Sequence, residues 1–98
     1  MRKLRSAVIH YSKKLNSTNL SALRSGNISV RAKEKKIDGF YITPSGLKYS
    51  SLKFTDIVFV SLKGKFDKNK GIPSSEWKFH QDIYVNKKKA NAIVHSHS

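Results

Sequence analysis

His95 and His97 stand two residues apart in the closing stretch NAIVHSHS, Asn91 to Ser98. On an extended strand, side chains at i and i+2 leave the same face, so these two imidazoles could hold one ion together. Zinc chemistry would need at least one more protein ligand and an open position. From the residues alone, His-x-His at a strand end reads equally as half a metal site or as an ordinary polar strand.

Three other stretches are odd for a purely structural chain: SGNISVR (Ser25 to Arg31), TPSG (Thr43 to Gly46) and PSSEWKFH (Pro73 to His80). Each also has a plain reading. Gly26-Asn27 suits a turn, Ser74 and Ser75 suit a helix cap, and Glu76 suits a first helical turn, where the helix dipole favours a carboxylate. Taken together they describe something more. Backbone amides and hydroxyls of Ser, Thr, Asn and Gly at a helix N-terminus are what a phosphate needs, because free N–H groups converge there on the positive end of the dipole. A carboxylate next to such a cradle, close to two histidines, would suit proton transfer beside a metal-polarised carbonyl. Glu76 is the candidate acid/base.

The elements that must position these residues follow from the apolar pattern. Leu4, Val8, Tyr11 and Leu15 recur at helical spacing, predicting an amphipathic helix from about Arg2 to Leu15 that stops at Asn16 to Asn19. Ile28 and Val30 after Gly26, then Phe40 and Ile42 after Asp38-Gly39, alternate with polar residues and predict two strands joined as a hairpin by the charged turn around Lys33 to Lys36. DIVFVSL, Asp56 to Leu62, is short, apolar and β-branched, as a central strand covered on both faces would be. KGKFDKNKG reads as a polar surface loop. A second helix opens at Pro73-Ser74-Ser75 with a Ser as N-cap, and Trp77, His80 and Tyr84 share one side of it. The last strand puts Ile93, His95 and His97 on one face. The economical architecture is an α/β sandwich with helices packed on a mostly antiparallel sheet.

Ninety-eight residues allow one small domain. Without cysteine, any metal would sit on His, Asp or Glu, and a reducing cytoplasm fits. No apolar run approaches the roughly 20 residues of a membrane span. The formal charge of +14 raises nucleic acid as a partner. Yet sixteen of the twenty basic residues are Lys, clustered where turns are predicted, whereas base readout and bidentate phosphate binding favour Arg. Solvated loops explain the charge better than a nucleic-acid surface.

SGNISVR, ITPSGLKYSSL, DIVFV, GIPSSEWKFH and ANAIVHSHS resemble the successive blocks of the class II aldolase and adducin family, in its order and spacing, with the fuculose-phosphate aldolase type the nearest in pattern. The resemblance covers nearly the whole chain. It implies a three-layer α/β sandwich, of which residues 1–98 would be the N-terminal portion, truncated before the rest of the domain. It implies that Asn27, Ser45, Gly46, Ser74 and Ser75 bind a substrate phosphate, that Glu76 is the catalytic carboxylate and that His95 and His97 are two ligands of a Zn2+ ion, with Glu76 a further candidate ligand. The implied reaction is retro-aldol cleavage of a sugar phosphate to dihydroxyacetone phosphate and an aldehyde, with zinc stabilising the enediolate.

The family's third zinc histidine and a catalytic tyrosine lie downstream of the His-x-His block and are absent from these 98 residues. His10 falls on the first helix, and His80 lies one helical turn after Glu76, where the motif accounts for it without a metal role. The resemblance also implies a homo-oligomer, a tetramer in the family. Two alternatives stand beside the aldolase: a sugar-phosphate epimerase or dehydratase of the same fold, and a basic binding module that has lost catalysis.

Overall fold

The computed structural model describes residues 4–10, 27–45 and 52–95. Residues 4–10 form helix α1. In chain order come β1 (Asn27–Glu34), β2 (Ile37–Ile42), β3 (Val58–Ser61), helix α2 (Trp77–Asn86) and β4 (Ala92–His95), with short 3-10 turns at Phe54–Asp56 and Lys68–Lys70. Tyr11, Leu15, the helix stop at Asn16 to Asn19, Gly26, Gly46 and His97 lie outside the described residues.

The predicted hairpin forms, with a tighter turn than expected. Lys33 pairs with Asp38 and Glu34 with Ile37, so only Lys35 and Lys36 lie in the loop. Both have positive φ, 51° and 68°. A two-residue hairpin loop needs that conformation to match the twist of its strands, and it usually recruits Asn or Gly for it.

Among the described residues every strand pairing is antiparallel, in the order β3-β2-β1-β4. The expectation of a central β3 is therefore corrected, because among the described residues it lies at an end of the sheet. Its sequence is apolar because both of its faces are covered, which is independent of how many strands flank it. Val58 and Val60 pack with Tyr84 of α2, while Phe59 joins the opposite cluster. β2 approaches β3 closely at Gly39, where a Cβ would stand 2.2 Å from the Val60 carbonyl oxygen.

The two faces of the sheet carry separate cores. Ile28, Val30, Ala32 and Tyr41 meet Val8 of α1 on one side; Phe40, Ile42, Val58 and Val60 meet Tyr84 of α2 on the other. Burying each of these Ile, Val and Phe side chains contributes about 1.5–3 kcal/mol. The result is the expected three-layer α/β sandwich, helix on sheet on helix.

Alternation along β1 places Asn27, Ser29 and Arg31 opposite Ile28 and Val30. That polar face does not meet solvent; it lies under α2, with Asn27 and Ser29 buried. Arg31 fastens the two elements. Its guanidinium donates to the carbonyl of Tyr84 (2.9 Å) in the last turn of α2 and to those of Lys87 (3.0 Å) and Ala90 (2.7 Å) just beyond it, and it lies over the Tyr84 ring.

Candidate active site at the start of helix α2

The segments around TPSG and PSSE run side by side. Ser74 N–H donates to the Thr43 carbonyl (2.9 Å) and Ser45 N–H to the Ile72 carbonyl (3.0 Å), around a bridge between Pro44 and Pro73. Thr43 is tied in turn to β1, since its Oγ1 accepts from Ile28 N–H (3.3 Å) and its N–H donates to the Ile28 carbonyl (3.1 Å). Four sequence-distant pieces, around residues 27, 43–45, 74–76 and 95, therefore meet at one end of the sheet.

The start of α2 differs from expectation. Regular helix begins at Trp77 with Glu76 in the cap position, and no side chain caps it there. One turn earlier, Ser74 Oγ accepts from Glu76 N–H (3.3 Å) and the Ser74 carbonyl accepts from Trp77 N–H (3.0 Å). The amides of Ser74 and Glu76 are thus engaged within the protein. Ser74, expected to offer both amide and hydroxyl to a ligand, has its amide committed to Thr43. Ser45 and Ser75 are exposed.

Glu76 stands between two strands. Asn27 Nδ2 donates to its Oε2 at 3.4 Å, and His95 Nδ1 lies in ion-pair contact with the same oxygen. The β1–β4 register makes this meeting, because Asn27 and His95 are direct cross-strand partners. The Phe79 ring packs on His95 with centroids 4.7 Å apart. A carboxylate and an imidazole together suit zinc. Among the described residues, however, no group of three metal-ligating side chains converges.

His80 is nowhere available to a metal. It is fully buried, with Nδ1 bonded to Ser29 Oγ (2.6 Å) and Nε2 bonded to Asn27 Oδ1. Burial, followed by the nearby His95, lowers its pKa from 6.5 to about 4, against a smaller opposing pull from Glu76. Ser29 Oγ also bonds Tyr84 Oη (2.8 Å), whose pKa burial raises to about 12. Ser29, Thr43 and Tyr84 were not singled out as site residues from the sequence. The available signal was the run of polar residues at every second position of β1 opposite an apolar face.

Residues 6–98 match the model of the Class II Aldolase and Adducin N-terminal domain. The chain belongs to this family. The L-fuculose phosphate aldolase of Haemophilus influenzae is 49% identical over 73 residues, 74% of this chain and 32% of that protein. A 5-methylthioribulose-1-phosphate/5-deoxyribulose-1-phosphate aldolase of Rhodospirillum rubrum is 39% identical over 95 residues, 97% of this chain and 41% of that protein. Among solved structures, an L-fuculose 1-phosphate aldolase superposes with a TM-score of 0.85 at 34% identity, covering 98% of this chain and 44% of that one. The chain thus spans less than half the length of each of these proteins. Among its described residues no helix is long and apolar enough to cross a membrane.

Proposed function

We propose that this chain carries the phosphate-binding and proton-transfer part of a zinc-dependent class II aldolase site, which cleaves a ketose 1-phosphate to dihydroxyacetone phosphate and an aldehyde. The observation that supports this reading best is the placement of Glu76 between the Asn27 amide and the His95 imidazole, beside the paired TPSG and PSSE segments. Relatives that cleave phosphorylated sugars by name point the same way.

In this reading the phosphate lies against the start of α2, where the dipole favours an anion. Asn27 Nδ2, the hydroxyls of Ser45, Ser74 and Ser75, and the backbone at Gly46 are its donors. In the cleavage direction the carbon–carbon bond beside the carbinol breaks. The carbinol hydroxyl gives up its proton to solvent as the aldehyde forms, and the bonding electrons pass to the ketone fragment. Glu76, having taken up a proton from solvent, delivers it to that carbon, completing dihydroxyacetone phosphate, and takes it back in the condensation direction. His95 and His97 would hold zinc, with Glu76 adjoining. A zinc ion there supplies positive charge to the substrate oxygens. A homo-oligomer is part of the same proposal.

Deuterium exchange into dihydroxyacetone phosphate, followed by NMR in heavy water with zinc present, tests the half-reaction. Exchange should occur with this chain and fall at least about 100-fold in Glu76→Gln. Absence of exchange, or exchange indifferent to Glu76, would overturn the assignment. Release of dihydroxyacetone phosphate from ketose 1-phosphates then separates cleavage from epimerisation or dehydration.

A further inference from the structure

The polar groups under α2 form one connected series, Tyr84 to Ser29 to His80 to Asn27, all buried, and then to the partly exposed Glu76. Its direction is decided at one end. A carboxylate only accepts hydrogen bonds, so the Asn27 carboxamide must turn its NH2 toward Glu76 and its oxygen toward His80. His80 Nε2 must then carry a proton and donate it to that oxygen. A neutral imidazole has one donor and one acceptor, so Nδ1 accepts, Ser29 donates to it, and Ser29 accepts in turn from Tyr84. Reversing any link would set two acceptors or two donors face to face, and at the buried Ser29, His80 and Tyr84 this would cost about 1–3 kcal/mol.

We infer that His80, held by Ser29 and Tyr84, is a positioning residue that fixes the Asn27 carboxamide with its NH2 toward Glu76 and the substrate. An asparagine amide is nearly the same shape in either orientation, so its environment must choose between them. Here the choice comes from the buried side chains of His80, Ser29 and Tyr84. A core filled for packing alone would use apolar side chains at positions 29 and 80, since buried polar groups are costly unless every one is satisfied. Phe40 and Phe79 flank the imidazole, with centroids 6.4 and 6.1 Å away, and hold its ring plane. This inference rests on the assignment of Asn27 and Glu76 to the chemistry proposed above.

The test uses the full 98-residue chain with 15N-labelled histidine and asparagine at neutral pH. Long-range proton–nitrogen correlation should find His80 neutral with its proton on Nε2. An imidazolium, or a proton on Nδ1, would overturn the inference without any variant being made. In Ser29→Ala and Tyr84→Phe, the Asn27 side-chain amide resonances should move, and dihydroxyacetone phosphate exchange should slow by about 10-fold in Ser29→Ala. Variants that melt cooperatively while leaving the Asn27 resonances in place would also overturn it, since the relay would then not reach the amide. Failure of the aldolase reading looks different: the tautomer and resonance shifts appear as described, but the wild-type chain exchanges no deuterium.

Discussion

Asn27 and His95 face each other across the β1–β4 register, and both reach the same carboxylate oxygen of Glu76. The candidate base is thus gripped from two adjacent strands by a helix packed over them. A metal ion taken up beside His95 must share that carboxylate or displace the imidazole from it.

Zinc titrated into the chain by calorimetry should show saturable one-to-one binding that disappears in His95→Ala. Equal heats from the two proteins would remove His95 from the metal site.

Acid should destabilise the fold through His80. Its folded pKa, about 4, lies below the unfolded value of 6.5, so the unfolded chain binds the extra proton first. Stability should be fully present above pH 6.5 and fall as the pH drops toward 4, by at most on the order of 3 kcal/mol. Urea melts across that range check the slope, and the His80 ring resonances should keep their neutral positions to about pH 5.

Gly39→Ala should be among the most damaging small substitutions. The added methyl would strike backbone, the Val60 carbonyl oxygen at 2.2 Å, and the Phe59 ring at 2.6 Å. Forcing β2 from β3 should cost about 2–3 kcal/mol or prevent folding. A melt within experimental error of the wild type would show that the strands can part freely.

Replacing Lys35-Lys36 by Asn-Gly should stabilise the hairpin by about 1 kcal/mol, because both positions have positive φ. A raised melting temperature with an unchanged denaturant slope would confirm it; a lowered one would mean that the lysines contribute more than their strain removes.

Much of this was readable in the chain. Period-two alternation at Ile28 and Val30 and at Phe40 and Ile42 predicted the hairpin, and the spacing of Trp77, His80 and Tyr84 predicted the buried side of α2. Glu76, Asn27 and His95 were legible as candidates because their types are chemical and their blocks resemble a known family. The apolar run at Val58 to Val60 misled on sheet order: apolarity reports covered faces, whereas a strand's neighbours depend on backbone hydrogen bonds that composition does not encode.

Sequence by itself determined the elements, the family and the identities of the candidate groups, because periodicity and residue type are local properties. Only the tertiary structure decided that the polar face of β1 is an interior one. Packing α2 across Asn27, Ser29 and Arg31 turned three residues that alternation alone would send to solvent inward, Asn27 and Ser29 toward the support of Glu76 and Arg31 onto the end of the helix. Burial then required each polar atom to find a partner, and the partners available lay about fifty residues away, on a helix and a strand that only folding brings together.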